Sequence, residues 1–172
     1  MFVEDPIPPD SADAFRDLVH RTSVPIATGE RYISIQEFEL LLAGKGAQYV
    51  RPDVCALGGI TAAKKAAAIA EAHYVGVVPH NPLGPVSTAA CLQLDACIPN
   101  FTIQEYPSFY ESGNEGEMMV DPFQVEEGCL IIPEAPGIGI ELVPDVDEKF
   151  PPTNGRHAFR THTSFDGSVR DF

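Results

Sequence analysis

Five acid or base side chains recur along this chain at nearly even intervals: Glu4, Glu30, Asp53, His80 and Glu105, separated by 26, 23, 27 and 25 residues. Each closes a short apolar run, in FVE, PIATGE, YVRPD, VGVVPH and FTIQE. Carboxylates and an imidazole are the groups of proton transfer and of hard-metal binding. Two carboxylates brought together repel unless a cation lies between them. Glu4 and Glu30 are therefore candidate ligands of a divalent ion such as Mg²⁺. The alternative for Glu4 is a helix cap or an ion pair with an arginine such as Arg31. An aspartate one interval before His80 suits a dyad, in which Asp53 fixes the tautomer of His80 and raises its basicity. The alternative is a histidine that is merely packed or solvated. Glu105, held protonated beside a metal and a bound carboxylate, would donate a hydrogen bond to a developing oxyanion. A salt bridge to the C-terminal tail is the other reading.

Each interval has room for one strand, one helix and two loops. Polar residues at the ends of parallel barrel strands gather on one face, where chemistry takes place. The elements between them read accordingly. Strands are expected over residues 1–5, 25–27, 49–54, 75–79 and 101–105, the first of them buried. Ala14, Phe15, Leu18 and Val19 have helical spacing in the segment 11–21. A second helix over 34–43 opens on a capping box, Ser34 with Glu37, and is stopped by Gly44 and Gly46. The alanine-rich run ITAAKKAAAIAEAH predicts a third helix to about His73, small enough in section to lie close to a sheet. A fourth is expected over 85–97. Gly58-Gly59-Ile60-Thr61 lacks the spacing of a phosphate-binding loop and reads as a tight turn. Such alternation argues for an α/β fold with parallel strands and right-handed crossovers.

Beyond Tyr106 the pattern changes to glycine, proline and acids, with short apolar pieces such as CLIIP and GIGIELV. Residues 108–172 read as a loop, a hairpin and an extended tail completing the domain, and residues 1–107 as its βα part. The formal net charge of -14 argues against nucleic acid and anionic membranes, which call for basic patches. Cys55, Cys91, Cys97 and Cys129 form no CxxC pair and are expected as buried, reduced thiols of a cytoplasmic protein. No apolar run is long enough for a membrane span.

The strings VRPDVCALGGITAAKKAAAIAEAH and VVPHNPLGPVSTAACLQLDACIPNFTIQEYP resemble the enolase superfamily. Within it they are most similar to the mandelate racemase-like acid-sugar dehydratases of the galactonate type. EDP at Glu4, ATGER at Glu30, RPD at Asp53, PHNPLGP at His80 and QEYP at Glu105 fall in that family's order and spacing, as do PGIGIEL and the closing DGSVRDF. The resemblance implies a partial (β/α) TIM-type barrel of about five strands. It implies Glu4 and Glu30 as two of three Mg²⁺ ligands, His80 as the base or acid on one face of the substrate, Asp53 as its orienting partner, and Glu105 at the enolate. It implies abstraction of the proton next to the carboxylate of a sugar acid, followed by loss of the β-hydroxyl as water, in a homo-oligomer. It also implies that the chain starts at the fourth barrel strand, with the third ligand and the opposite acid/base group upstream. A racemase or cycloisomerase of the same superfamily, and an inactive or partner-dependent half-barrel, are the other readings left open.

Overall fold

The computed structural model describes residues 1–106, 116–151, 162–163, 166 and 169–170. Four parallel strands form its sheet in sequential order: β1 (Val3–Glu4), β2 (Ile26–Thr28), β3 (Tyr49–Val50) and β4 (Gly76–Val77). Val3 pairs with Ile26, Ala27 with Tyr49, and Val50 with Val77. The crossovers are helices α1 (Ala12–Val19), α2 (Ile35–Ala43) and α3 (Ile60–Ala72), and α4 (Pro85–Asp95) follows β4. Each helix packs against the next along the chain. Sequential strand order with helices in one continuous layer is the arrangement of a barrel wall; a doubly wound sheet reverses its order and carries helices on both faces.

The helices form where sequence and burial agree. Ser11 caps α1 by accepting the Ala14 N–H at 3.2 Å, and Phe15 is its buried anchor. At α2 the Ser34 N–H donates to the Glu37 carboxylate at 2.9 Å, as the capping box requires. Ala63, Ala66, Ala67 and Ala70 line one face of α3 and are all fully buried, which lets this helix lie close to α2 and the sheet. With Phe15, Ile26, Phe38, Leu41, Leu42, Val50, Val77 and Leu94 they form the core between sheet and helix layer.

α2 ends where the glycines are expected to stop it, though not through a left-handed glycine. Gly44 is right-handed at φ -78°, and Lys45 takes the left-handed position at φ +56°. Lys45 N–H then donates to Leu42 and Gly46 N–H to Leu41, the paired bonds of a Schellman ending. α3 closes the same way around Tyr74, φ +60°, which donates to Glu71 while Val75 donates to Ala70.

Strand expectations are corrected at both sheet edges. β1 is exposed, with Val3 44% accessible, because it has a neighbour on one side alone. The expected fifth strand shrinks to one parallel bridge, Val77 with Phe101, made by Val77 N–H to Asn100 and Thr102 N–H to Val77. Phe101 and Ile103 stay exposed there. Both edges are open, apolar and unpaired among the described residues.

The expected hairpin is present as β5 (Val125–Glu126) and β6 (Cys129–Leu130), turning through Glu127 and Gly128 at φ +51° and +82°. A one-turn helix, α5 (Val146–Lys149), follows a bridge between Met119 and Leu142. In the tail, β7 (His162–Thr163) and β8 (Val169–Arg170) pair antiparallel. The expected boundary near residue 107, and most of the expected extended tail, lie outside the described residues. All four cysteines are free; Cys91 alone is buried, and Cys55, Cys97 and Cys129 are exposed. No helix among the described residues is long and apolar enough to cross a membrane.

Candidate active site

The five singled-out residues lie at or past the C-terminal ends of the parallel strands, and each is linked to another of the five by a contact of 3.0–3.2 Å or through a shared arginine. β3 continues as Arg51-Pro52-Asp53, β4 as Val78-Pro79-His80, and a parallel bridge pairs Asp53 with His80. Bridge partners on adjacent strands bring their side chains together. His80 Nδ1 lies 3.0 Å from Asp53 Oδ2, so the expected dyad forms. Its partner is fixed in turn: the other carboxylate oxygen, Oδ1, accepts the N–H groups of Cys55 at 2.7 Å and Ala56 at 2.9 Å. Burial works against the charge on Asp53, but the His80 bond and those two backbone bonds outweigh it and hold the carboxyl below its usual range. Burial also opposes charge on His80; the Asp53 hydrogen bond and the Glu30 charge overcome it and raise the imidazole above its ordinary value.

The far ring nitrogen faces another expected residue. His80 Nε2 is 3.2 Å from Glu30 Oε2. Glu30 follows Gly29, whose φ is +126° and whose absent Cβ would meet the Phe38 ring at 2.8 Å. Glycine is thus what lets the chain end β2 against the core and turn Glu30 toward β4. Arg31, weighed above as a partner for Glu4, instead stands 3.9 Å from Glu30 Oε1.

Glu4 and Glu105 meet through a residue that pattern reading overlooked. Arg51 sits on the middle of the strand order with its side chain 6% exposed, and its two terminal nitrogens hold Glu4 Oε2 and Glu105 Oε2. The expected alternatives, Glu4 with Arg31 and Glu105 with the tail, give way to this bridge among the described residues. The signal was available: Arg51 stands two residues before Asp53, and extended chain turns such a pair to one side. Asn81 was also missed. It is fully buried, donates its N–H to Glu105 Oε2 at 2.8 Å, and anchors its amide on Thr88 Oγ1 at 2.8 Å and the Glu105 carbonyl at 3.2 Å.

Four carboxylates therefore face one guanidinium and one imidazole. Burial raises the pKa of Glu4, Arg51 opposes, and the charges of Glu30 and Glu105 add to the rise. A negative excess of hard oxygen donors suits a hard divalent cation in type and charge. In number the donors fall short: among the described residues no group of three His, Cys, Asp or Glu side chains could hold a metal. Gly58 and Gly59, at φ +95° and +109°, form the tight turn expected after Asp53.

A family model described as "Enolase C-terminal domain-like" matches residues 1–146. D-galactonate dehydratase of Xanthomonas oryzae pv. oryzae (strain PXO99A) is 37% identical over 180 residues, covering 100% of this chain and 46% of that protein. D-galactonate dehydratase of Variovorax paradoxus (strain S110) is 35% identical over 179 residues, with the same coverage. The chain thus spans about half the length of the curated relatives it matches. Among solved structures, an enolase from Agrobacterium radiobacter, determined with sodium and L-malate bound and an ordered active site, superposes with a TM-score of 0.86 at 33% identity. That match covers 98% of this chain and 45% of the other. A mandelate racemase/muconate lactonizing enzyme from Jannaschia sp. CCS1 superposes at 0.83 and 34% identity, covering 90% and 39%. The strand-end site, the helix layer and the family match agree, and the chain belongs to the enolase superfamily as a portion of its C-terminal barrel domain.

Proposed function

We propose that this chain carries the C-terminal share of an acid-sugar dehydratase site, acting on a galactonate-like substrate. In this reading His80 Nε2 removes the proton next to the substrate carboxylate, and the β-hydroxyl then takes a proton from an acid, such as the His80 imidazolium so formed, and leaves as water. Asp53 holds the proton on Nδ1, which keeps the Nε2 lone pair available for the incoming proton. Glu105 faces the oxygen on which negative charge develops, and Asn81 fixes Glu105. Glu4 and Glu30 would hold Mg²⁺, whose charge when bound favours ionisation of so weak a carbon acid. The single observation that carries the reading is the relay of Ala56 and Cys55 N–H groups to Asp53, Asp53 to His80 Nδ1, and His80 Nε2 toward Glu30. A histidine that only packs or is solvated has no need of a partner so firmly fixed.

The test is an incubation with Mg²⁺ and a panel of aldonic acids in D₂O. Formation of 2-keto-3-deoxy acids, lost in His80→Asn, supports dehydration. Deuterium uptake next to the carboxylate without dehydration points to a racemase or cycloisomerase. Neither signal at high protein concentration rejects activity for this chain by itself.

A further inference from the structure

We propose that the cavity at the end of α4 is a binding site for an organic cation on an apolar stem, the chemistry of an alkylammonium ion. It encloses about 470 Å³ between α4, the bridged Phe101 segment and the hairpin of β5 and β6, a size suited to a small ligand. Leu92, Phe101, Ile103, Leu130 and Ile132 supply apolar walls. Three acceptors on its border lack a donor. Asp95 Oδ1, Asp95 Oδ2 and Gln104 Oε1 are buried, and none has a hydrogen-bond partner among the described residues. The backbone sets the Gln104 amide: Nε2 donates to the Glu105 carbonyl at 2.7 Å and the Pro79 carbonyl at 3.5 Å, which leaves Oε1 as the free end.

These acceptors select the ligand. A buried acceptor without a donor costs free energy, and a carboxylate costs most. No lysine or arginine among the described residues lines the cavity, so nothing there balances the Asp95 charge. An anion would be repelled, and a neutral hydrocarbon would leave all three oxygens unsatisfied. A hard metal ion calls for several oxygen ligands, and apolar walls with one carboxylate do not provide them. An ammonium group brings three N–H donors and one positive charge, which is what Asp95 and Gln104 Oε1 together lack. Its alkyl stem is accommodated by the walls. A lysine side chain ends in the same group. Phe101 and Ile103 lie on an open sheet edge, so a lysine on an incoming strand reaches this site as readily as a free amine. The site does not depend on the reaction proposed at the strand ends.

The probes are n-hexylammonium and n-hexanol, which share a stem and differ in charge. Each is titrated into the full chain near pH 8, above the Asp95 pKa of about 7, and followed by NMR shifts at Ile103 and Leu130 and by melting temperature. Hexylammonium is expected to bind on the order of tenfold tighter than the alcohol. Asp95→Asn removes an unpaired buried charge, so alone it should melt higher than wild type, yet it should bind the two probes about equally. A merely structural Asp95 would leave the preference for the cation intact in that variant. Ile132→Trp, at a wall position 41% exposed, should fill the cavity and weaken both probes. A valine–lysine–valine tripeptide blocked at both ends separates the two sources. Tighter binding than hexylammonium, with slowed exchange of the Phe101 and Ile103 amide protons, assigns the site to a chain segment; binding no tighter assigns it to a free amine. Equal binding of hexylammonium and hexanol to wild type overturns the proposal. So does a preference that survives Asp95→Asn, or shifts confined to residues outside the cavity.

Discussion

Asp53 and His80 meet at 3.0 Å as direct partners of a parallel bridge, so the dyad is a property of strand register and not of loop placement. This makes an unusually clean substitution available. Asn at position 53 can still accept the Cys55 and Ala56 N–H groups through its carbonyl oxygen, so the turn survives. Its amide nitrogen, however, would donate to His80 Nδ1 and force the ring proton onto Nε2. Asp53→Asn is expected to stay folded, to show the opposite tautomer by ¹⁵N NMR, and to lower proton abstraction by about 10²–10⁴. An unchanged tautomer would separate the two residues functionally despite their contact.

Gly29 carries a different kind of constraint. Alanine there must adopt φ +126° and place a methyl 2.8 Å from the Phe38 ring, which is fully buried and also packs edge-on to Tyr32. Gly29→Ala is expected to cost about 1–3 kcal/mol in urea unfolding. A loss below a few tenths of a kcal/mol would mean that the end of β2 relaxes freely.

The alternation of strands and helices was legible because each interval between strand-end residues holds one complete βα unit, with the capping box at Ser34 marking a helix start. The dyad was legible for the same reason: neighbouring units put neighbouring strand ends side by side. What pattern reading could not see is charge pairing across several strands. Arg51 joins Glu4 to Glu105 over a span of 101 residues of sequence, and no local period encodes that contact. The fate of the edges was equally hidden, since FVE and FTIQE look like strands whether or not a neighbour exists to pair with them. β1 keeps two residues and the last segment a single bridge, because hydrogen bonding, not composition, defines a strand.

Lys45 and Tyr74 hold left-handed positions that glycine fills at lower cost. Tyr74 is 99% exposed, so shortening it removes almost no packing. Tyr74→Gly and Lys45→Gly are each expected to stabilise the chain by up to about 1 kcal/mol, the relief of strain being partly offset by the greater freedom of glycine in the unfolded state. Thermal denaturation measures it. A fall in melting temperature at either position would show that the side chain makes a favourable contact outweighing its backbone strain.

Asp95 supplies the pH dependence. It ends α4 and borders a cavity of about 470 Å³ lined by Leu92, Phe101, Ile103, Tyr106 and Ile132. Both its carboxylate oxygens are buried without a hydrogen-bond partner among the described residues, and a negative charge at a helix C-terminus opposes the helix dipole. Burial pushes its pKa from 3.8 up to about 7. A carboxyl with a raised folded-state pKa binds its proton more tightly when folded, so stability falls as pH rises. The penalty is absent below the unfolded pKa, grows between the two values, and is complete above about 7. Asp95→Asn keeps the shape and cannot ionise. Its advantage over wild type should be smallest near pH 4 and grow toward pH 8, to on the order of 2–4 kcal/mol. The same substitution lightens the negative field on buried Cys91, whose thiol burial and Asp95 together push up to about 12. Urea unfolding of both proteins at half-unit pH steps measures the difference, and parallel curves would show that the Asp95 carboxylate reaches solvent or a cation in the folded chain.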